Sequence, residues 1–148
     1  MKKIRMLTLL FTLMLPITTN AEFKVPAIKE TGQWTIELLP PVKDKGEAGK
    51  FEVYSLLVTN KGKKAYNASV EVYRDEAGTN KMFGLAPQMK DKLVETNQFF
   101  NFENFPVKTE TEKLEIILTW EDEPVKLENG YKSSGRKYKE TVIFTKQL

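Results

Sequence analysis

The 148-residue chain contains no cysteine and no histidine. Without cysteine there are no thiol nucleophiles, disulfides, iron–sulfur centres or thiolate zinc sites; without histidine there are no imidazole ligands and no histidine to activate a serine. Long apolar runs are missing too. The longest, residues 6–15, is about half of the roughly 20 residues that span a bilayer, and Pro16 interrupts it. There is no sequence repeat and no low-complexity tract, and after the apolar run no segment carries a helical hydrophobic period.

What the N-terminus does contain is Lys2, Lys3 and Arg5, then the apolar run, then the small and polar residues Thr19, Asn20 and Ala21. This order predicts a secretory signal peptide, residues 1–21, cleaved after Ala21, and no stable transmembrane anchor. No cysteine follows for lipidation. Removing Lys2, Lys3 and Arg5 from the 23 Lys+Arg leaves 20 against 20 Asp+Glu, a formal charge of zero for residues 22–148. The basic character therefore belongs to the precursor, and nothing draws the mature chain generally toward nucleic acid. The expected location is secreted or periplasmic, with noncovalent cell-wall association as one form of it, since the chain ends in TKQL directly after a strand pattern. Residues 22–148 are expected to form a single domain with a real core.

Alternation of period two dominates that domain. QWTIELL places Trp34, Ile36 and Leu38 on one face, and Pro40 and Pro41 open a loop that runs through PPVKDKGEAGK. KFEVYSLLVTN and AYNASVEVYRDE read as two neighbouring antiparallel strands around the Asn60–Gly62 turn. In the second, Tyr66, Ala68, Val70 and Val72 are expected inward, and Ser69, Glu71 and Tyr73 outward. KMFGLAP predicts a short edge strand ended by Pro87. LVETNQFFNFENF predicts a strand whose bulge or bend brings both Phe99 and Phe100 into apolar surroundings. EKLEIILTWEDE sets Leu114, Ile116, Leu118 and Trp120 on one face, a loop follows around Asn129, Gly130 and Gly135, and RKYKETVIFTKQL closes the chain with Tyr138, Val142 and Phe144 inward.

About seven one-sided strands call for a two-sheet antiparallel sandwich of immunoglobulin-like type, with a small antiparallel barrel as the alternative. Residues 56–78, LLVTNKGKKAYNASVEVYRDEAG, resemble the strand–turn–strand unit of bacterial cell-adhesion-related, Ig-like domains. Leu56, Val58, Asn60 and Gly62 match its first strand and turn, and Val70 and Val72 its second strand. The resemblance implies an extracellular sandwich used for binding, adhesion or spacing, and it carries over no catalytic residue.

Chemistry-bearing groups are few. Trp34 and Trp120 share faces with aliphatic residues and are expected in the core rather than on a ligand platform; the Phe99–Phe105 cluster is likewise read as a core crossing before a groove. Tyr54 and Tyr73 are the expected surface tyrosines, and Tyr131, Arg136, Lys137 and Tyr138 form a basic and aromatic set in KSSGRKYK. These six are the candidate binding surface, suited to an anionic cell-wall polymer or an extracellular protein. Glu121, Asp122 and Glu123 could offer calcium oxygens with Asp75 or Glu76, but their spacing fits no EF-hand. KGEAGK fits no phosphate-binding loop. Twenty acidic residues make a carboxylate pair easy to find and therefore uninformative, and the serines have no histidine base. The expected function is a non-enzymatic binding or adhesion module without cofactor, catalytic or metal residues. A carboxylate-based hydrolase and a passive spacer are the alternatives.

Overall fold

The computed structural model describes residues 21–147, with the backbone alone at residues 86–89. The expected leader lies outside these residues except for Ala21. Among the described residues there are ten strands and no helix: β1 (Ala27–Glu30), β2 (Trp34–Leu39), β3 (Phe51–Asn60), β4 (Ala65–Asp75), β5 (Met82–Val94), β6 (Phe99–Lys108), β7 (Lys113–Glu121), β8 (Val125–Lys126), β9 (Lys132–Ser133) and β10 (Lys137–Thr145). The three beyond the expected seven are β1 and the short pair β8 and β9, which forms inside the segment read as a loop.

All pairings are antiparallel. The order β1-β2-β3-β6 makes one sheet, β10-β7-β4-β5 a second, and β8-β9 a separate hairpin. Two open sheets, rather than one closed ring of strands, carry the core. β2 turns Trp34, Ile36 and Leu38 inward and β7 turns Leu114, Ile116, Leu118 and Trp120 inward, and all seven join one buried cluster drawn from both sheets. Trp34 of the first sheet meets Trp120 of the second edge-on, with ring centroids 5.7 Å apart at 77°.

Several expectations are corrected. β3 and β4 do not pair with each other but lie in different sheets, because each carries its own apolar face and the turn between them leads the chain across the core. That turn is organised by Asn60, which is fully buried. Its Nδ2 donates to the carbonyls of Lys63, Val94 and Glu95 at 2.9, 3.1 and 3.2 Å. Its Oδ1 accepts from Gln33 Nε2 at 2.7 Å and from the Gly62 amide at 3.1 Å. A buried amide with this many partners locks three loops to one another.

β5 is the edge strand that was predicted, but it continues through Pro87 to Val94. Pro87 sits where the pairing with β4 shifts register between Val70 and Val72, a position where no ladder N–H is required. In β4, Tyr66 is only half-buried while Ala65 takes the inward place. The cause is a second register shift, between Tyr66 and Ser69 against β7, around Asn67 at φ 48°. In β6 the bulge comes later than expected: Phe99 is 60% exposed and Phe100 is buried. Asn104 at φ 60° takes up the extra residue, opposite the shift between Tyr54 and Leu56 in β3. The shift changes the inward parity, so that Phe100 and Phe102 before it and Phe105 and Val107 after it all reach the core.

Arg74, one step beyond Val72 on the inward side of β4, is also buried. Its Nη1 lies 2.5 Å from Glu76 Oε1 and its guanidinium sits 4.6 Å from the Phe83 ring centroid. A buried charge survives only with such partners.

Candidate functional site

The six residues singled out by the sequence separate into three places. Tyr54 is buried, 2% exposed, and its ring packs edge-on to Phe23 at 5.8 Å. Its hydroxyl donates to Glu52 Oε2 at 2.5 Å, and burial, reinforced by that carboxylate, pushes its ionisation well above the usual tyrosine range. The surface expectation for Tyr54 is thus corrected: it shares parity with the buried Leu56 and Val58, and that parity was the available signal.

Tyr73 does point outward. It is half-buried and donates its hydroxyl to Glu71 Oε2 at 2.6 Å, a bond that raises its pKa above the ordinary value. It pairs with Glu115 on β7, whereas Lys137 pairs with Glu121. Six residues of extended strand, about 20 Å, separate the two rows, so Tyr73 does not belong to one compact patch with Lys137.

The other four are close in the chain: Tyr131 and Arg136 lie in the segment joining β7 to β10, and Lys137 and Tyr138 open β10. Tyr138 stacks on Trp120 with centroids 5.3 Å apart at 20°, and its hydroxyl donates to Asp122 Oδ2 at 2.8 Å, raising its pKa. One face of this ring is therefore committed to the protein. Arg136 is exposed, and its carbonyl accepts the Asp122 amide at 3.0 Å. The close approach depends on Gly135, where a Cβ would fall 2.0 Å from the Asp122 carbonyl oxygen. Lys137 Nζ lies 3.6 Å from Glu121 Oε1.

Between these fixed points the chain folds out as the β8–β9 hairpin. Leu127 N donates to Tyr131 O at 2.8 Å, Gly130 N donates to Leu127 O at 2.9 Å, and Gly130 takes φ 84°, the left-handed position that such a three-residue turn requires. Tyr131 is 73% exposed, and with it Val125 at 58% and Leu127 at 45%. The pairing of Val125 with Ser133 and of Leu127 with Tyr131 puts these apolar groups on one side of the hairpin, with Lys126 and Lys132 on the other. Val125 and Leu127 were not picked out from the sequence; Asn129-Gly130 between alternating residues was the sign to use.

The acidic residues do not converge as the calcium reading required. Asp75 Oδ1 accepts the amides of Glu112 and Lys113 at 3.0 Å each, at the start of β7, while Glu121 ends that strand and receives Asn67 Nδ2 at 2.9 Å.

The fold class is all-β, built from antiparallel sheets around a shared core. A family model described as YozF-like secreted protein matches residues 19–148, and the chain belongs to that family. It is 25% identical over 138 residues to the "Uncharacterized protein YozF" of Bacillus subtilis (strain 168), with 82% of this chain and 79% of the relative covered. No solved structure matches. The family is described as secreted, in keeping with the export signal read from the N-terminus. The resemblance to cell-adhesion-related domains over residues 56–78 extends only to the all-β architecture.

Proposed function

We propose that the protein is an exported, non-enzymatic binding module with an Ig-like sandwich fold, acting on a cell-surface polymer or an extracellular protein. The strand order supports the fold: β2-β3-β6 against β10-β7-β4-β5 follows the A-B-E and G-F-C-C′ arrangement of Ig-like sandwiches. The observation that carries the binding role is the β8–β9 hairpin, where Val125, Leu127 and Tyr131 stay exposed beside Arg136 and Lys137. Exposed apolar groups on a projecting hairpin flanked by cations suit recognition by contact and local charge. Association with the cell envelope is part of this reading, and so is the absence of covalent chemistry.

The test is retention of residues 22–148 on isolated cell envelope and on culture-medium components, across a salt series. The double variants Leu127→Ser/Tyr131→Ser and Arg136→Gln/Lys137→Gln are run alongside. Salt-dependent retention that both variants weaken is the expected result. Retention unchanged in both overturns the hairpin as the site, and no retention by a folded protein favours a spacer.

A further inference from the structure

The outer face of the second sheet holds a feature that meets the hairpin site only at Lys137. At the β4 bulge around Asn67 two open grooves adjoin, of about 520 and 420 Å³, and both are lined by Asn67 and Thr119. The first continues to Ser69, Lys90 and Lys92; the second continues to Lys137 and Lys139. Together they make one depression crossing all four strands.

The register gives its centre line. Lys139 pairs with Thr119, Thr119 with Ser69, and Ser69 with Lys90. Their neighbours Leu118, Trp120, Ala68 and Val70 point into the core, so this row of side chains faces out. Three interstrand spacings separate the terminal lysines, about 14 Å at 4.8 Å each. Two hydroxyls stand between two ammonium groups.

The acids along the depression are already engaged. Glu71 accepts the Tyr73 hydroxyl, Asp91 accepts the Leu93 amide at 3.3 Å, and Glu121 accepts Asn67 and faces Lys137. Among the described residues Lys90, Lys92 and Lys139 take part in no ion pair. Those carboxylates keep their charge, so the lining as a whole, Lys90, Lys92, Lys137 and Lys139 against Glu71, Asp91 and Glu121, sums to one positive charge, while the central row itself carries only lysines and hydroxyls.

We infer that this depression is a binding track for an extended, linear phosphate polymer, laid across the strands from Lys139 to Lys90. The lysines meet phosphate oxygens as point charges, and the Thr119 and Ser69 hydroxyls donate to the oxygens between them. A single phosphate reaches only one end of the row, so a polymer gains by bridging both lysines and a free ion does not. The inference rests on the binding-module reading and names the ligand chemistry for it.

The experiment measures binding of residues 22–148 to inorganic polyphosphate of about 15 units, with orthophosphate as the short comparator, at several salt concentrations. Envelope retention is measured on the same samples. Two variants are compared: Lys90→Gln/Lys139→Gln in the track and Lys29→Gln/Lys43→Gln, an equal charge change at exposed sites elsewhere. Circular dichroism confirms the fold of each. The expected result is binding of polyphosphate but not of orthophosphate at matched phosphate concentration. The track variant should bind at least tenfold more weakly, with the slope of log affinity against log salt reduced by about 0.7 per lysine, as for a flexible single-stranded polyanion. The control variant should change by less than about twofold. Equal losses in both variants, or no polyphosphate binding while envelope retention persists, overturn the track and leave the binding module standing. Loss of both polyphosphate binding and envelope retention in the folded wild-type protein overturns both.

Discussion

The turn after β3 and the connection after β7 begin alike, with a polar residue at the end of a buried strand, and are built to opposite ends. In the first, Asn60 is fully buried and its amide has five hydrogen-bond partners reaching Gln33, Gly62, Lys63, Val94 and Glu95. In the second, Asp122 and Gly135 pin the base of the hairpin, but Val125, Leu127 and Tyr131 are left in solvent. Polar groups are spent on internal order in one place, and apolar groups are exposed in the other. A folded protein does the former for stability; the latter costs solubility and is retained where a surface is used.

Four changes would break or sharpen this contrast. The core beneath both regions sets the scale, and Phe105→Ala should cost about 3–5 kcal/mol, measured by urea denaturation, because a fully buried ring leaves a cavity behind the β6 bulge. A loss below about 1 kcal/mol would show that the bulge collapses around the gap. Asn60→Ala should cost about 2–4 kcal/mol, since the Val94 and Glu95 carbonyls lose their side-chain donor together while Gln33 Nε2 and the Lys63 carbonyl keep only their bond to each other. Near-neutral behaviour would mean that water replaces the amide and that the first turn is not locked as described.

A smaller effect appears at alkaline pH. Tyr54 holds its proton more tightly in the folded state than in the unfolded chain, whose tyrosines ionise near 10.0. Its contribution is intact below that pH and declines as pH rises above it. The denaturation midpoint of the wild-type protein should therefore fall more steeply above pH 10 than that of Tyr54→Phe; parallel curves would remove Tyr54 as the source. The smallest change belongs to the hairpin. Leu127→Ser/Tyr131→Ser should shift stability by no more than about 0.5 kcal/mol while weakening envelope retention, and a larger stability loss would place these side chains in the fold rather than on a partner.

Much of the fold was legible because alternation reports directly on burial. Trp34, Ile36 and Leu38, and Leu114 through Trp120, lie inward as their period requires. Where a single residue breaks the period, reading by parity failed. Asn67 and Asn104 adopt positive φ, and each lets the chain change face without leaving the sheet, so Tyr66 moved off the core and Phe99 turned out to solvent. The candidate site was legible in composition but not in place: KSSGRKYK supplied the cations and tyrosines, yet Tyr54 belonged to the core and Tyr73 to a row about 20 Å from Lys137.

The sequence by itself determined an all-β chain without thiol or imidazole chemistry, because these follow from residue types and a period of two. Only the tertiary structure decided that β3 and β4 part into different sheets, that Arg74 is buried against Glu76 and Phe83, and that Lys139, Thr119, Ser69 and Lys90 form one row. Register and sheet order depend on which apolar faces meet, and contacts between residues far apart in the chain leave no local mark on either partner.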